Sequence, residues 1–158
     1  MKPIELSAEA FKEYGKVLHQ RSDERRMSDN DELTYWGKIA EFELPSKIST
    51  GIMVARRREG GFRTFERHFK TGEILVALDA DAVCAVGRPT PERDEVTDVK
   101  LFYFRRGQAV FLSPATWHYV PMPIASESAA FLVIFASGTE DDDMSFADLS
   151  APLMAEVG

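Results

Sequence analysis

The chain has 158 residues, of which 44% are hydrophobic and 28% charged, and this balance is typical of one soluble domain with a single core. Its 26 acidic residues outnumber 19 Lys and Arg, and the net charge of −7 argues against a nucleic-acid partner or an anionic membrane surface. No apolar stretch reaches the ~18 residues of a membrane-spanning helix, and we expect neither a signal peptide nor a membrane anchor. The one cysteine, Cys84, lies in an apolar run and favours a buried thiol in a reducing, cytoplasmic compartment.

The first predicted element is an amphipathic helix over residues 7–20. Ser7 is a suitable N-cap, Glu9 places an acid in the first turn, and apolar side chains recur at a helical spacing. His19, at the end of this helix, is expected on the surface and outside any site. Residues 21–33 are charged without a period, which indicates a surface loop.

Beyond this loop the pattern changes to short apolar segments, rich in β-branched and aromatic residues and separated by turn residues. It predicts an all-β sandwich or barrel over about residues 35–137, followed by an acidic tail over about 139–158, in a single domain that spans residues 1–158. The acids at 140–143 are expected to stay in water, and Phe146–Leu153 could dock. The predicted strands are Tyr35–Leu44, Gly51–Arg57, Arg63–His68, Ile74–Leu78, Ala82–Val86, Leu101–Phe104, Ala109–Ser113 and Phe131–Ala136.

The first candidate for chemistry is the tripeptide Glu66-Arg67-His68. On a strand, residues two apart share a face, so Glu66 and His68 point the same way and Arg67 points to the other face. Glu73, just past the next turn, could reach the same space. A carboxylate and an imidazole on one face form a general acid/base pair or part of a metal site, although the solvent face of an edge strand has the same alternation. For Arg67 we expect a structural or subunit-contact role.

The second candidate is His118, which lies between Trp117 and Tyr119 in a segment with few charges. Aromatic neighbours remove water, so the imidazole is expected to be neutral near pH 7. Such a histidine is either a core residue or one that accepts a proton or ligates a metal.

Together the two segments resemble the paired motifs of cupin barrels, in which two His and a Glu from the first motif meet a third His from the second. Here Glu66 stands where the first His would be, His68 and Glu73 keep the usual spacing, and His118 follows Pro114. The resemblance implies a site of two His and two carboxylates, which suits a divalent metal ion such as Mn, Fe, Ni or Zn. The predicted metal ligands, if a metal is bound, are Glu66, His68, Glu73 and His118.

Whole segments resemble the ureidoglycolate lyase family, also called ureidoglycolate hydrolase, which has a cupin fold. The likeness runs in order through most of residues 6–140. Its segments are Leu6–Val17, Glu66-Arg67-His68 with the apolar strand Ile74–Leu78, Gly107-Gln108-Ala109-Val110, Trp117-His118, and Phe131–Ile134.

This sequence departs from the family pattern at three places. Tyr119 replaces the last residue of a Trp-His-His motif, Glu73 replaces a Gln, and residues 135–138 replace an Asp-Arg-Gly-Gly segment. The fold tolerates these changes more readily than the substrate preference does.

The resemblance implies a cupin-like double-stranded β-helix barrel, a homodimer, and the cleavage of ureidoglycolate into glyoxylate and urea, a step of allantoin and purine catabolism. Breaking a carbon–nitrogen bond at a carbon that bears a hydroxyl requires removal of the hydroxyl proton and protonation of the departing urea nitrogen. The predicted catalytic residues are Glu66, His68 and His118, with the acid and base roles open. The predicted substrate-binding residues are Arg56, Gln108, Trp117 and Tyr119. The candidates for the partner of the substrate carboxylate are Arg56, Arg57 and Arg58, of which not all can enter the barrel because adjacent strand residues face opposite sides; a solvated strand end has the same run of arginines.

Two other functions stay open at this point. A non-catalytic cupin that binds a small ligand fits the absence of a second histidine at Tyr119 and of the Asp-Arg pair at Phe135 and Ala136. A metal-dependent cupin isomerase or oxygenase would contain stoichiometric transition metal.

Overall fold

The protein is described by a computed structural model over residues 1–157, in which strands far outnumber helices. The helices are short: α1 (Ala8–Phe11), α2 (Thr139–Asp142) and a 3-10 turn at Asp23–Arg25. The strands are β1 (Ile4–Glu5), β2 (Gly15–Val17), β3 (Arg26–Asp29), β4 (Thr34–Trp36), β5 (Ile48–Arg56), β6 (Phe62–Arg67), β7 (Glu73–Ala77), β8 (Ala82–Gly87), β9 (Lys100–Phe104), β10 (Ala109–Leu112), β11 (Trp117–His118), β12 (Met122–Pro123), β13 (Ser128–Ala136) and β14 (Ser145–Leu153).

Two sheets pack face to face. The front sheet has the order β1-β9-β8-β11-β6-β14, with β12 beside β8, and the back sheet has the order β2-β10-β7-β13-β5. Neighbouring strands are antiparallel except for the β1–β9 pair, and most neighbours in space are distant in sequence. This crossing order is that of a jelly-roll barrel rather than a meander, and it confirms the predicted all-β, cupin-like fold.

The front sheet is covered on both faces. Strand β8 is buried at every position: Cys84 and Val86 contribute to the core between the sheets, while Val83 and Ala85 join a second core under β14 and the C-terminal segment. Cys84 is a buried free thiol, as expected, and burial raises its pKa to about 12. Within residues 1–157, no helix has the length and apolar character that crossing a bilayer demands.

The predicted helix over residues 7–20 is wrong beyond its first turn. Ser7 does cap a helix, with its Oγ accepting the N–H of Ala10 at 3.2 Å, but the chain then becomes strand β2. Gly15 pairs with Leu112 of β10, and a Cβ at Gly15 would lie 1.8 Å from a backbone oxygen of β10. Pairing with the sheet edge therefore outweighs local helix propensity. His19 lies beyond this strand, half-buried, and its Nδ1 accepts the N–H of Ala109 at 3.0 Å.

Two further expectations need correction. Of the predicted strand Tyr35–Leu44 only Tyr35 and Trp36 lie in a strand, β4, because Lys38 has a positive φ of 51° and, within residues 1–157, no strand pairs with residues 37–44. The loop at 21–33 contains strand β3, which pairs with β4 and stays mostly exposed.

In the acidic tail, the Phe146–Leu153 segment docks as part of β14 on β6. Gly158 lies outside the described residues.

Candidate active site

Strand pairing brings the two sequence motifs together at one end of the barrel. His118 of β11 lies directly opposite Glu66 of β6. His68 follows the last residue of β6, and Glu73 opens β7 in the facing back sheet. Because β6 alternates, Arg67 points to the outer face, as the sequence predicts.

The four side chains of this cluster, Glu66, His68, Glu73 and His118, form a compact set of contacts. The Nε2 atom of His68 lies 3.2 Å from Oε2 of Glu73, and the Nε2 atom of His118 lies 3.5 Å from the same oxygen. The His118 Nε2 atom is also 3.8 Å from Oε1 of Glu66. The two imidazole rings have centroids 5.1 Å apart. Glu73 is thus shared between both histidines.

The cluster is largely shielded from solvent and opens through a narrow cavity. Glu73 and His118 side chains are 8% and 6% exposed, whereas the Glu66 side chain is 22% exposed, which makes it the most accessible of the cluster. Met53 and Tyr119 help to line the cavity, whose volume of about 20 Å³ holds about one water molecule. A larger molecule therefore needs a shift of the side chains at the cavity mouth.

Backbone carbonyls fix the orientation of both imidazoles. The Nδ1–H of His68 donates to the carbonyl of Asp143 at 3.0 Å, and the Nδ1–H of His118 donates to that of Thr116 at 2.9 Å. In a neutral ring this leaves an unprotonated Nε2. Each Nε2 lone pair would then face a negatively charged carboxylate, which is a repulsive contact. A positive charge between the imidazoles and the carboxylates is needed to remove this repulsion.

In the chain alone, protons supply that charge. Burial disfavours the ionised form of Glu73, but the His118 and His68 imidazoles outweigh burial and lower the Glu73 pKa to about 2. Burial likewise disfavours the imidazolium form of His118, but Glu73 and Glu66 raise its pKa to about 9. The expectation of a neutral His118 is therefore wrong: desolvation is present, but the paired carboxylates have the larger effect.

Three of the four predicted metal ligands also fit a metal ion. Glu66, His68 and His118 each offer a ligand atom, and these atoms lie within 4.8 Å of one another. The buried Nε2 of His118 makes no hydrogen bond of ordinary length, which is the condition of a nitrogen poised to ligate. Carbonyls that hold the opposite ring nitrogen are the usual outer partners of metal-bound histidines. These residues could hold a divalent ion.

Of the four predicted substrate-binding residues, only Tyr119 lines the cavity. The exposed side chain of Arg56 lies on the outer face of β5, the face that also carries Ile52 and Val54. Gln108 lies at the opposite end of the barrel, where its Oε1 accepts the N–H of Arg105 at 2.8 Å and its carbonyl accepts that of Ala77.

Trp117 faces away from the cavity because it alternates with His118. Its Nε1–H donates to Oγ1 of Thr90 at 2.7 Å, and its ring lies 4.1 Å from the guanidinium carbon of Arg67. Arg67 is 1% exposed and also donates to the carbonyl of Arg93 at 2.8 Å. This stack joins β6 to β11 behind the cluster, so both residues have a structural role.

Two residues shape the site in roles that the sequence did not predict, and one of them, Arg58, was a candidate partner of the substrate carboxylate. Arg58 donates to the carbonyls of Val120 at 2.7 Å and Pro121 at 3.3 Å, and its guanidinium lies 5.3 Å from the Tyr119 ring centroid. It therefore anchors the segment that covers the cavity. Asp143, which the sequence placed in water, is 6% exposed and contacts the His68 turn. No local signal separates either residue from its charged neighbours.

Comparison with known proteins adds a family and several distant structural likenesses. The chain resembles oxalate decarboxylase of Bacillus subtilis, with 20% identity over 65% of this chain and 24% of that chain and a TM-score of 0.44; that enzyme has Mn(II) centres. The chain of this protein also resembles oxalate decarboxylase of Lactobacillus farciminis in its formate complex, with 22% identity over 65% of this chain and 27% of that chain and a TM-score of 0.46. The chain thus spans about a quarter of the length of these enzymes.

A search of the curated proteins found no match. By contrast, the model of the ureidoglycolate lyase family matches residues 1–156. That range contains both motifs of the barrel and all the residues of the cluster, and the match agrees with the order of segments in the sequence. The chain belongs to the ureidoglycolate lyase family.

Proposed function

We propose that this protein cleaves ureidoglycolate to glyoxylate and urea at the cluster of Glu66, His68, Glu73 and His118. The observation that carries the proposal is the contact of His118, whose raised pKa keeps its imidazole charged, with an accessible carboxylate, Glu66, in a largely buried site. Those are the acid and the base that this elimination needs.

Glu66 is the general base of the proposed reaction. Its side chain is 22% exposed and lies in register with His118, whereas Glu73 is deeply buried and its pKa of about 2 makes it a poor proton acceptor. Glu66 accepts the hydroxyl proton of the substrate, and the electron pair of that O–H bond forms the carbonyl of glyoxylate. The electron pair of the carbon–nitrogen bond leaves with the urea nitrogen.

His118 is the general acid that protonates this nitrogen. With a pKa of about 9 it carries a proton at neutral pH, and that proton is held at Nε2 because Nδ1–H is bonded to Thr116. Proton return from Glu66 to His118, across the 3.8 Å between them, resets the site. Glu73 keeps the acid charged, and His68, which contacts the same Oε2 atom of Glu73, helps to orient that carboxylate.

The direct test is an assay of the purified protein with ureidoglycolate, in which product NMR follows glyoxylate and urea. We expect the two products in equal amounts, without ammonia, at a rate far above the spontaneous one. Saturable binding of ureidoglycolate without turnover would instead show a non-catalytic binding protein.

A second candidate is metal-dependent cleavage, and two observations favour it. Among residues 1–157, no Arg or Lys lines the cavity, so the carboxylate of the substrate lacks a cationic side chain there. The Nε2 atom of His118 makes no hydrogen bond of ordinary length, so it would also suit a metal ion as a ligand, together with Glu66 and His68. A divalent ion held by these residues would supply positive charge to the substrate carboxylate and hydroxyl.

Chelation separates the two candidates. If His118 supplies a proton, protein stripped of metal should keep its rate within about threefold, because the acid and the base both belong to the chain. Elemental analysis of the stripped protein is the control. A rate that disappears on stripping and returns with one equivalent of Mn, Fe, Ni or Zn would establish the metal-dependent route instead.

We also propose that the protein is a homodimer whose subunits meet through the outer face of the back sheet. This face carries apolar rows across β7, β13 and β5, such as Val76, Leu132 and Ile52, which are neighbours in register. Ile52 and Val54 are 63% and 51% exposed. Strand β5 is the last strand of its sheet and leaves a nine-residue edge, Ile48–Arg56, for a second copy.

A charge on this face should separate the subunits. In Ile52→Glu, dimerisation would bury a carboxylate without a partner, and we expect at least a tenfold rise in the dimer dissociation constant by sedimentation equilibrium. The matched control is Phe146→Glu, which places the same charge at a 58% exposed apolar residue on β14. A monomeric wild-type chain, or equal masses for both variants, would contradict this interface.

A further inference from the structure

The acidic run that follows β13 contains one residue that is not on the surface. Glu140, Asp141 and Asp142 are exposed, whereas Asp143, at the end of α2, is 6% exposed. A buried carboxylate is costly unless hydrogen bonds satisfy it. The partners of Asp143 therefore show what the residue does.

The Asp143 carboxylate holds the backbone immediately after His68. Its Oδ1 accepts the N–H of Phe69 at 2.9 Å and its Oδ2 accepts the N–H of Lys70 at 2.8 Å. Charge-assisted bonds to two consecutive amides fix the path of the chain where it leaves β6. Without these bonds the two N–H groups would need water as their hydrogen-bond partner.

The backbone of Asp143 holds the imidazole itself. Its carbonyl accepts the Nδ1–H of His68 at 3.0 Å, and its own N–H donates to the carbonyl of Thr139 at 3.1 Å, which closes the turn of α2. With Nδ1 held in this way, Nε2 is directed at Oε2 of Glu73, 3.2 Å away.

We propose that Asp143 is a positioning residue for His68. The side chain and the backbone of Asp143 act on different parts of the same turn. Its carboxylate fixes the backbone of residues 69 and 70, and its carbonyl fixes the ring, so that the Nε2 atom of His68 faces Glu73. The importance of this for catalysis rests on the proposed lyase function, in which His68 orients Glu73 and Glu73 keeps His118 charged. The hydrogen-bond geometry does not depend on that function.

The test compares Asp143→Ala with Asp142→Ala. Asp142 is an exposed neighbour whose carboxylate pairs with Nζ of Lys70 at 3.1 Å, so its loss leaves the His68 contacts intact. NMR of ¹⁵N-histidine-labelled protein detects the His68 Nδ1–H proton, which a buried hydrogen bond to a carbonyl protects from exchange. We expect this signal in wild type and in Asp142→Ala, and its loss in Asp143→Ala.

Kinetics provide the second measurement. For Asp143→Ala we expect kcat to fall about 10- to 100-fold, with KM changed much less, as for other residues that orient an active-site histidine. Asp143→Asn keeps one acceptor oxygen and should recover part of both kcat and the NMR signal. It also serves as the test variant if Asp143→Ala does not fold.

The outcomes separate the two proposals. A protected His68 Nδ1–H signal in folded Asp143→Ala would overturn the positioning role. If Asp143→Ala does not fold, a wild-type NMR signal with wild-type kinetics in Asp143→Asn would overturn it. A wild-type chain without lyase activity would overturn the proposed function, and the NMR comparison would still decide the role of Asp143.

Discussion

Replacement of His118 by Gln is expected to lower kcat/KM for ureidoglycolate cleavage about a thousandfold, the usual contribution of a general acid. Gln has a similar size and can still donate a hydrogen bond, but it cannot deliver a proton to the departing urea nitrogen. The measurement is the initial rate of glyoxylate release, with far-UV circular dichroism to establish that the variant is folded.

The matched control is His19→Gln, the same substitution at a half-buried histidine outside the cluster, near Ala109. Its rate should stay within about threefold of wild type, because its ring bonds only to backbone far from the cluster. If His118→Gln also remained within that range, His118 would not be the acid.

Replacement of Glu73 by Gln is expected to affect both stability and rate. It leaves the buried His118 imidazolium with Glu66 alone, so the pKa of His118 falls and the acid is no longer protonated at neutral pH. We expect kcat to drop about a hundredfold at neutral pH. The free energy of unfolding should fall by about 2 to 3 kcal/mol near pH 5.5, less than for a fixed buried charge because His118 can release its proton.

The direction of each pKa shift decides the pH range in which the His118–Glu73 pair stabilises the fold. The His118 pKa is raised to about 9, so its contribution is complete below the unfolded value of 6.5 and is lost as pH rises through 9. The Glu73 pKa is lowered to about 2, so its contribution is complete above 4.5 and is lost as pH falls through 2. The pair therefore stabilises the fold fully between 4.5 and 6.5.

Urea unfolding of metal-free protein at about pH 5.5 and about pH 9.5 measures this difference. Glu73→Gln should be clearly less stable than wild type at the lower pH, and the gap should narrow at the higher pH. The control is Glu127→Gln, which removes an exposed carboxylate and should match wild type at both. A gap that is equal at both pH values would show that the loss comes from packing and not from the ion pair.

Local pattern was sufficient to predict seven of the barrel strands, β5 to β10 and β13, and three members of the cluster. Alternation placed Glu66 and His68 on one face of β6, and the turn after His68 brought Glu73 within reach. These features depend on period-two geometry and short turns, which nearby residues determine. The likeness of ordered segments to one family then placed His118 with them.

The errors arose where a distant partner decides the structure. Lys16 is exposed between the buried residues Gly15 and Val17, a period of two, but the pairing with β10 that selects this strand over a helix is about 95 residues away along the chain. Asp143 is likewise distinguished from its acidic neighbours only by contact with Phe69 and Lys70. Composition cannot reveal such contacts.

The charge state of His118 shows the same limit. Its aromatic neighbours correctly indicated burial, but the two carboxylates that raise its pKa come from β6 and β7. Arg56, a candidate partner of the substrate carboxylate, does not line the cavity for a related reason. The pairing of β5 with β13 decides on which face of the sheet its side chain lies, and the local sequence does not show that pairing. Side-chain chemistry was thus predictable, and its electrostatic setting was not.

The most direct test of the central claim is the rate of glyoxylate release from ureidoglycolate by wild type and by the His68→Ala, His118→Ala double variant, measured beside the spontaneous reaction. If the cluster of Glu66, His68, Glu73 and His118 performs the cleavage, wild type should be fast and the folded double variant should fall to the spontaneous rate. Equal rates for wild type and the double variant would contradict the assignment of lyase activity to this cluster.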